Sequence, residues 1–492
     1  MPLLPLLMRL AHLCFKDTRS MNMIQNRLVA AMACTFTLGG CALTLPPARV
    51  PSLVVSQWQA PLPHQGEVAS LSQWWRLQGD PELVALIEAA QAASPTVAQA
   101  LARVAAARAA QVTANAALLP KLDGTANAVR GVGQSNPVLA TSAQANLQAS
   151  WELDLVGANR VVSEAAQAQL DGSQAQWHNA RVSVAAEVAG VYYGMGTCAR
   201  LVDITRRDAA SRQETARLTE VSTQAGFTAP ATSALAKASA AEARARVTSQ
   251  IAQCDISTKA LVELTALSEA DIRQKMAVAV AYIGKEVLIS IASVPAQALT
   301  QRPDVFAAER DLVVARAQVG SAQAQRYPRL TLNGSIGTAA LLSGGVTSRL
   351  DTWSFGPLAV TVPLFDGGQR LAQVELAQAN YERAVNAYQS RVRQAVREVE
   401  EALVNLQSTQ ARRVDVEVAA LGYADALAGT QARYTQGLAS LVELEDVRRV
   451  ALAAQTGQIS LQLERQRAWV ALYRALGGGW EPGDPMARAA AQ

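Results

Sequence analysis

The sequence predicts a mainly α-helical chain that also carries membrane β-barrel strands, organised as a duplicated helix–strand–strand–helix repeat. Three observations lead there. "ARAAQVTANAALLPKL" (Ala107–Leu122) returns as "ARAQVGSAQAQRYPRL" (Ala315–Leu330), 208 residues further on. Between helical stretches, short segments alternate apolar and polar residues with period two. Very long segments without proline then follow.

The bulk numbers agree. The chain has 492 residues, 50% hydrophobic and 17% charged, enough for a large core and more than one domain. Aromatics are only 5% and alanine abounds, which suits closely packed helices. Net charge is +4; residues 1–40 (Arg9, Lys16, Arg19 and Arg27 against Asp17) hold +3 of it, leaving +1 for the remainder. That balance gives no footprint for nucleic acid. His12, His64 and His178 lie far apart, and no HExxH, CxxC or P-loop pattern occurs, so neither a metal site nor an enzyme is expected.

Residues 1–40 read as a signal peptide. Arg27 precedes an apolar run from Leu28 to Leu38 that is too short to span a membrane. Residues 1–20 lie upstream of Met21 and Met23, which offer alternative starts. "LGGC", ending at Cys41, resembles a lipobox, the signal for cleavage before a cysteine that receives diacylglycerol and an N-acyl chain. This lipid on Cys41 is the one covalent group expected, with no other cofactor. Ala42, in place of aspartate, favours delivery to the outer membrane. No later stretch has 18 apolar residues without charge, so the mature chain sits on the membrane by its lipid or crosses it with strands.

Residues 41–79 read as a lipid-anchored extended segment, residues 80–270 as the first repeat, 271–300 as a connector, 301–476 as the second repeat and 477–492 as a tail. Pro95 and Pro303 suit the first position of a helix, and Pro120 and Pro328 lie beyond the ends. The strands are expected at about 122–132, 143–155, 330–337 and 354–366. In the second, Ala143, Ala145, Leu147, Ala149, Trp151, Leu153 and Leu155 share one face; Gln144, Asn146, Gln148, Ser150, Glu152 and Asp154 share the other. Such a face suits a wet lumen with lipid outside. Four strands cannot close a barrel, since small barrels need about eight, so several chains are required.

"LVGANR" (Leu155–Arg160) and "FDGGQR" (Phe365–Arg370) are glycine turns into long helices. From Gln369 to about Ala420 there is no proline and no break before Gly422; about 50 helical residues would measure about 75 Å. "TQAGFTAP" (Thr223–Pro230) and "RYTQGLAS" (Arg433–Ser440) put Gly226 and Gly437 at the tips of two helical hairpins. Cys198 lies 28 residues before Gly226 and Cys254 lies 28 after it. An antiparallel pair therefore sets both at one height, and a disulfide is expected in an oxidising compartment.

"WWRLQGDPEL" (Trp74–Leu83), "ALLPKL", "SWELDLVG", "QRPDVFAAER", "QRYPRLTLNGSIG", "VPLFDGGQR", "QAVREVEEAL" and "YRALGGGW" (Tyr473–Trp480) fall in one order. That order resembles the TolC-like outer-membrane efflux proteins, in their OprM/NodT lipoprotein branch. The resemblance implies a homotrimer with a 12-stranded barrel and a long α-helical periplasmic tunnel. It implies an exit duct for small toxic compounds in a tripartite pump, partnered by a periplasmic membrane-fusion adaptor, an inner-membrane RND transporter and outer-membrane lipid. Residues 271–300 become an equatorial connector. Glu443 and Asp446, just after the Tyr434–Gly437 turn, match the acids of the periplasmic aperture. At spacing i, i+3 they share a helix face, and three copies would ring the pore with six acids. Gly226, Phe227 and Thr228, with Gly437, Leu438, Ala439 and Ser440, match hairpin tips where the adaptor docks. Two other functions fit less well: the duct of a type I protein secretion system, and a lipid-anchored periplasmic coiled-coil structural protein.

Overall fold

A computed structural model describes residues 45–47, 58–60, 74–133, 136–279, 299 and 302–480. The signal segment, Cys41, residues 280–298 of the connector and the tail after Trp480 lie outside the described residues. The chain forms two compact units.

The first unit gathers Asn115–Val162 and Ala317–Ala377 with the chain up to Pro46. Its centre is one antiparallel sheet of four strands in sequence order: β1 (Lys121–Gly133), β2 (Asn136–Leu153), β3 (Arg329–Ser343) and β4 (Val346–Thr361). Three of these differ from the expected bounds. β2 begins at Asn136 rather than 143, because "NPVLATS" alternates too weakly to register as strand. β3 runs on to Ser343, and β4 starts at Val346, the two joined by the Gly344–Gly345 turn, both glycines at positive φ. β4 stops at Thr361 rather than 366; Pro363 has no N–H to give to a ladder.

The register separates the two faces row by row. Leu153, Leu330 and Val360 lie abreast, then Trp151, Leu332 and Leu358, then Leu122, Ala149 and Phe355, then Leu147, Ile336 and Trp353. The opposite face carries Asp123, Gln148, Ser335 and Ser354 abreast, then Thr125, Asn146, Gly337 and Thr352. Gly337 is required there: a Cβ would lie 2.8 Å from the Ala145 carbonyl and run into the Asn146 amide.

The second unit gathers Pro47–Ala114, Ser163–Arg316 and Gln378–Gln492. Helices α1 (Trp74–Leu77), α2 (Pro81–Ala93) and α3 (Pro95–Ala116) precede the sheet in sequence. After β2 come α4 (Ala158–Gln224), α5 (Pro230–Thr265) and α6 (Glu269–Ala279); then α7 (Pro303–Ala324), and after β4, α8 (Gln369–Thr435), α9 (Leu441–Ala475) and a 3₁₀ turn, Gly477–Gly479. The duplication is visible in the lengths. α3 and α7 both have 22 residues and both start on proline. α4 and α8 both have 67 residues, about 100 Å at ~1.5 Å per residue. Gly422 does not end α8, contrary to expectation; a single interior glycine costs about 1 kcal/mol, which a helix packed along its length absorbs.

Asp80 starts α2 as its N-cap, accepting from the Glu82 and Leu83 N–H groups at 3.2 Å each, and its second oxygen takes the Tyr192 hydroxyl. Trp74 and Trp75 pack on Tyr473, with ring centroids 5.1 and 4.7 Å away. They are packing anchors at the edge of the largest buried cluster, which holds Leu83, Leu86, Val188, Tyr192, Leu261, Leu403 and Leu472. Buried Arg302 ties the start of α7 to the end of α9, donating to Asp304 at 2.9 and 2.7 Å, Glu398 at 2.8 Å and the Ala475 carbonyl at 2.8 Å.

Candidate functional site

The hairpin tips are built alike. In α4–α5, Gly226 takes φ +82°; its N–H reaches the Thr223 carbonyl at 3.0 Å, and the Phe227 N–H reaches Ser222 at 2.9 Å. In α8–α9, Gly437 takes φ +74°, with Gly437 N–H to Tyr434 at 3.0 Å and Leu438 N–H to Arg433 at 2.8 Å. Both are helix ends closed by a left-handed glycine and paired 6→1 and 5→2 bonds. Each tip then starts the next helix at once: Pro230 opens α5, and Ser440 caps α9 by accepting the Glu443 N–H at 3.1 Å. Thr228 bonds Ser222 at 2.6 Å. Phe227 is 86% exposed and Leu438 65% exposed at matching places, so each tip offers one bare apolar side chain beside small ones, Ala439 among them.

Glu443 and Asp446 lie in the first turns of α9. Each has an arginine on its own hairpin: Arg433 donates to Glu443 at 2.8 Å, and Arg449 lies 3.3 Å from Asp446. All four side chains are 41% exposed or more, so these ion pairs are weak, worth about 0–1 kcal/mol each. They leave the acids free to re-aim.

The buried charge lies between them. Glu445 points the other way and meets Arg212 of α4, Ser239 of α5 at 2.7 Å and Arg448 of its own helix at 2.8 Å. Arg448 is nearly fully buried and also donates to Ser211 at 2.9 Å, Thr215 at 2.8 Å and Gln431 at 2.6 Å. Arg212 is completed by Asp208 at 3.0 Å, and the Tyr434 hydroxyl lies 3.0 Å from Thr219. This network ties α9 and the end of α8 to α4 and α5. Sequence reading missed it. Glu445 lies between Glu443 and Asp446 in the sequence, and its partner Arg212 lies 233 residues away.

Farther along the α4–α5 pair, the Cys198 and Cys254 sulfurs lie 2.00 Å apart with Cα atoms at 5.6 Å, a bonded pair.

The sheet supplies the membrane chemistry. Its apolar face ends in exposed aromatics, Trp353 at 81% and Phe355 at 83%, as a lipid-facing band flanked by an aromatic girdle requires. Charge on such a face costs about 2–4 kcal/mol at the bilayer midplane. The rows from Leu153 to Trp353 carry none. The opposite face offers amides and hydroxyls, as a water-filled lumen does. Among the described residues, no helix is long and apolar enough to cross a membrane, and no group of three or more His, Cys, Asp or Glu could hold a metal.

An amphipathic four-stranded sheet with open edges, joined in sequence to paired helical hairpins, defines a transport channel assembled from several chains. The comparisons place it more closely. The sequence model of outer membrane efflux proteins matches residues 86–267 and 294–478, and the chain belongs to that family. Outer membrane protein OprJ of Pseudomonas aeruginosa is 30% identical over 92% of this chain and 96% of its own. The pyoverdine export outer membrane protein OpmQ of Pseudomonas putida is 31% identical over 87% of this chain and 92% of its own. Among solved structures, the open-state outer membrane channel MtrE of Neisseria gonorrhoeae is similar with a TM-score of 0.74 and 25% identity, over 89% of this chain and 99% of that one. The protein is thus an outer-membrane efflux channel, and its fold is that of the trimeric channels that combine a β-barrel with a helical tunnel.

Proposed function

We propose that this chain is the outer-membrane exit duct of a tripartite RND-type pump, passively conducting small toxic compounds passed on by a periplasmic adaptor and an inner-membrane RND transporter. The observation that carries the reading is the row-by-row separation, over the rows from Leu153 to Trp353, of an uncharged apolar face from a polar one. A type I secretion duct would share the strands; the relative named above as a pyoverdine exporter favours small cargo.

Within this reading, Cys41 carries the lipid anchor, and the tips at Gly226–Thr228 and Gly437–Ser440 receive the adaptor. The aperture lies at Glu443 and Asp446. At rest the Glu445–Arg212–Arg448 network holds the α8–α9 hairpin against α4–α5. Opening swings that hairpin away, a hinge movement that exchanges one set of polar contacts for another. The work comes from the partners, and the duct supplies only a wall.

The test is electrical. Full-length trimers in planar bilayers should show low resting conductance with cation preference. Glu443→Ala with Asp446→Ala should raise the conductance severalfold and weaken the preference. Unchanged conductance and selectivity in that variant would remove the aperture from these residues. A monomer that inserts in no membrane would remove the duct.

A further inference from the structure

The apolar residues of β4 change sides partway along, while Ala340 and Leu342 of β3 stay on the outward side. From Val360 to Trp353, the apolar residues of β4 (Val360, Leu358, Phe355 and Trp353) lie on the lipid-facing side. From Asp351 to the turn, that same side carries Asp351, Arg349 and Thr347, while Leu350 and Val346 lie on the lumen side with Ala339 and Leu341 of β3. Arg349 pairs with Asp351 at 3.7 Å and donates to Thr338 at 3.3 Å, all on the outward side.

Charge there fixes where the hydrocarbon ends. From Val362 to Trp353 is nine residue steps, about 31 Å at ~3.4 Å per step and about 24 Å once tilted by ~40°. That fills an apolar band of ~25 Å, so the rows beyond Trp353 stand outside the hydrocarbon. There the lumen side carries Val129, Ala339, Leu341, Val346 and Leu350, interspersed with uncharged Asn127, Ser142, Gln144 and Ser348. Leu350 stays 64% exposed and Leu341 45%. Pairing runs unbroken from Gly334–Phe355 to Ser343–Val346, the only irregularity of β3–β4 falling between Leu332 and Gly334. The hairpin therefore continues the wall instead of folding across the axis, and what its apolar inner side meets is what passes through the lumen.

Resting on the duct reading, we propose that these distal rows form an apolar collar at the mouth of the barrel, binding the apolar part of departing amphipathic organic cargo without selecting its charge. Apolar side chains left bare in water recruit apolar surface from whatever shares the lumen. With no ionised side chain on the lumen side of these distal rows, the collar takes cationic, neutral and anionic amphiphiles alike.

The probe is tetraphenylphosphonium, added on the side of the Gly344–Gly345 turn to bilayers holding full-length trimers with Glu443→Ala and Asp446→Ala. Tetramethylammonium, with the same charge and little apolar surface, is the reference. Tetraphenylphosphonium should interrupt the current with dwell times at least tenfold longer. Adding Leu341→Ser and Leu350→Ser should shorten them about tenfold, and Leu350→Ser alone should give a smaller change in the same direction. Arg349→Ser, on the outward side of the same hairpin, should leave them unchanged. Light scattering confirms that each variant is a trimer. Dwell times insensitive to both leucine variants overturn the collar. So does a severalfold rise in open conductance in the double-leucine variant without a change in dwell, since the hairpins would then have been covering one another. Trimers that carry no current in any variant overturn the duct reading and the collar with it; current without the leucine effect overturns the collar alone.

Discussion

At the scale of single residues, buried polar side chains do more than one task at once. Asp80 caps α2 with one oxygen and takes the Tyr192 hydroxyl with the other. Burial first, then the hydrogen bond from Tyr192 to Asp80 and the Asp80 charge, push the Tyr192 hydroxyl well above its ordinary value, so it stays a donor. Asp80→Ala removes a cap and orphans a buried hydroxyl, a loss of about 1–3 kcal/mol, read as a lower urea midpoint for trimers in detergent. Asp304 behaves differently. Burial alone would raise its carboxyl, but the Arg302 hydrogen bonds and charge outweigh that, with Arg391 and the Val305 N–H adding to them. They hold it below its ordinary 3.8. A lowered folded value means stability that is present above the unfolded value and lost as pH falls through the folded one. Thermal stability should therefore drop as pH falls below about 4, and Asp304→Asn should flatten that drop when melting is followed by circular dichroism.

At the scale of elements, the duplication reuses one joint. Asp154 receives the Asn159 and Arg160 N–H groups at 3.1 Å each and the Arg160 side chain at 3.1 Å, at the start of α4. Asp366 receives the Gly368 and Arg370 N–H groups at 3.0 and 3.3 Å and the Arg370 side chain at 2.8 Å, at the start of α8. Both carboxylates sit where helix N–H groups are otherwise unpaired. The glycine turns were plain in the sequence and the aspartates' role was not, because a cap is defined by where the chain bends. The strands were legible only where alternation was strict: "AQANLQASWEL" announced β2, whereas the distal half of β4 was missed because its apolar residues change sides at Asp351 and so break the period of two. The cysteine pair was legible from its symmetry about Gly226. It closes a separation of 56 residues, for which chain entropy gives at most about 4 kcal/mol. Cys254→Ser should lower the stability of the α4–α5 hairpin by about 2–4 kcal/mol, seen as faster proteolysis near Gly226 with trimers retained.

At the scale of the whole molecule, a duct must be closed at rest and open on demand, and its two kinds of acid differ in what they can do about it. Glu443 and Asp446, proposed above for the aperture, stand out in the sequence because they follow a recognisable turn, and both are exposed and loosely paired. Glu445 could not be found, because burial of a charge is set by partners on other helices, and it is the residue that joins the two hairpins. Its carboxylate is shared by Arg212 and Arg448, both among the least exposed arginines of the described residues. Removing one member of such a set strands charge in the interior and costs about 3–5 kcal/mol, far more than breaking a surface pair. Glu445→Gln keeps the shape and removes the charge, leaving Arg448 with no carboxylate partner and Arg212 with Asp208 alone. Repulsion between Arg448 and Arg212 drives the α8–α9 hairpin away from α4 and α5. The expected outcome is a trimer of normal yield whose resting conductance rises at least as much as in the variant lacking both Glu443 and Asp446, but whose cation preference persists, because the aperture acids remain. Conductance equal to that of the unmodified protein would mean that the tips are held shut by contacts between chains. Conductance raised with cation preference lost would mean that Glu445, buried as it is in the single chain, belongs to the aperture.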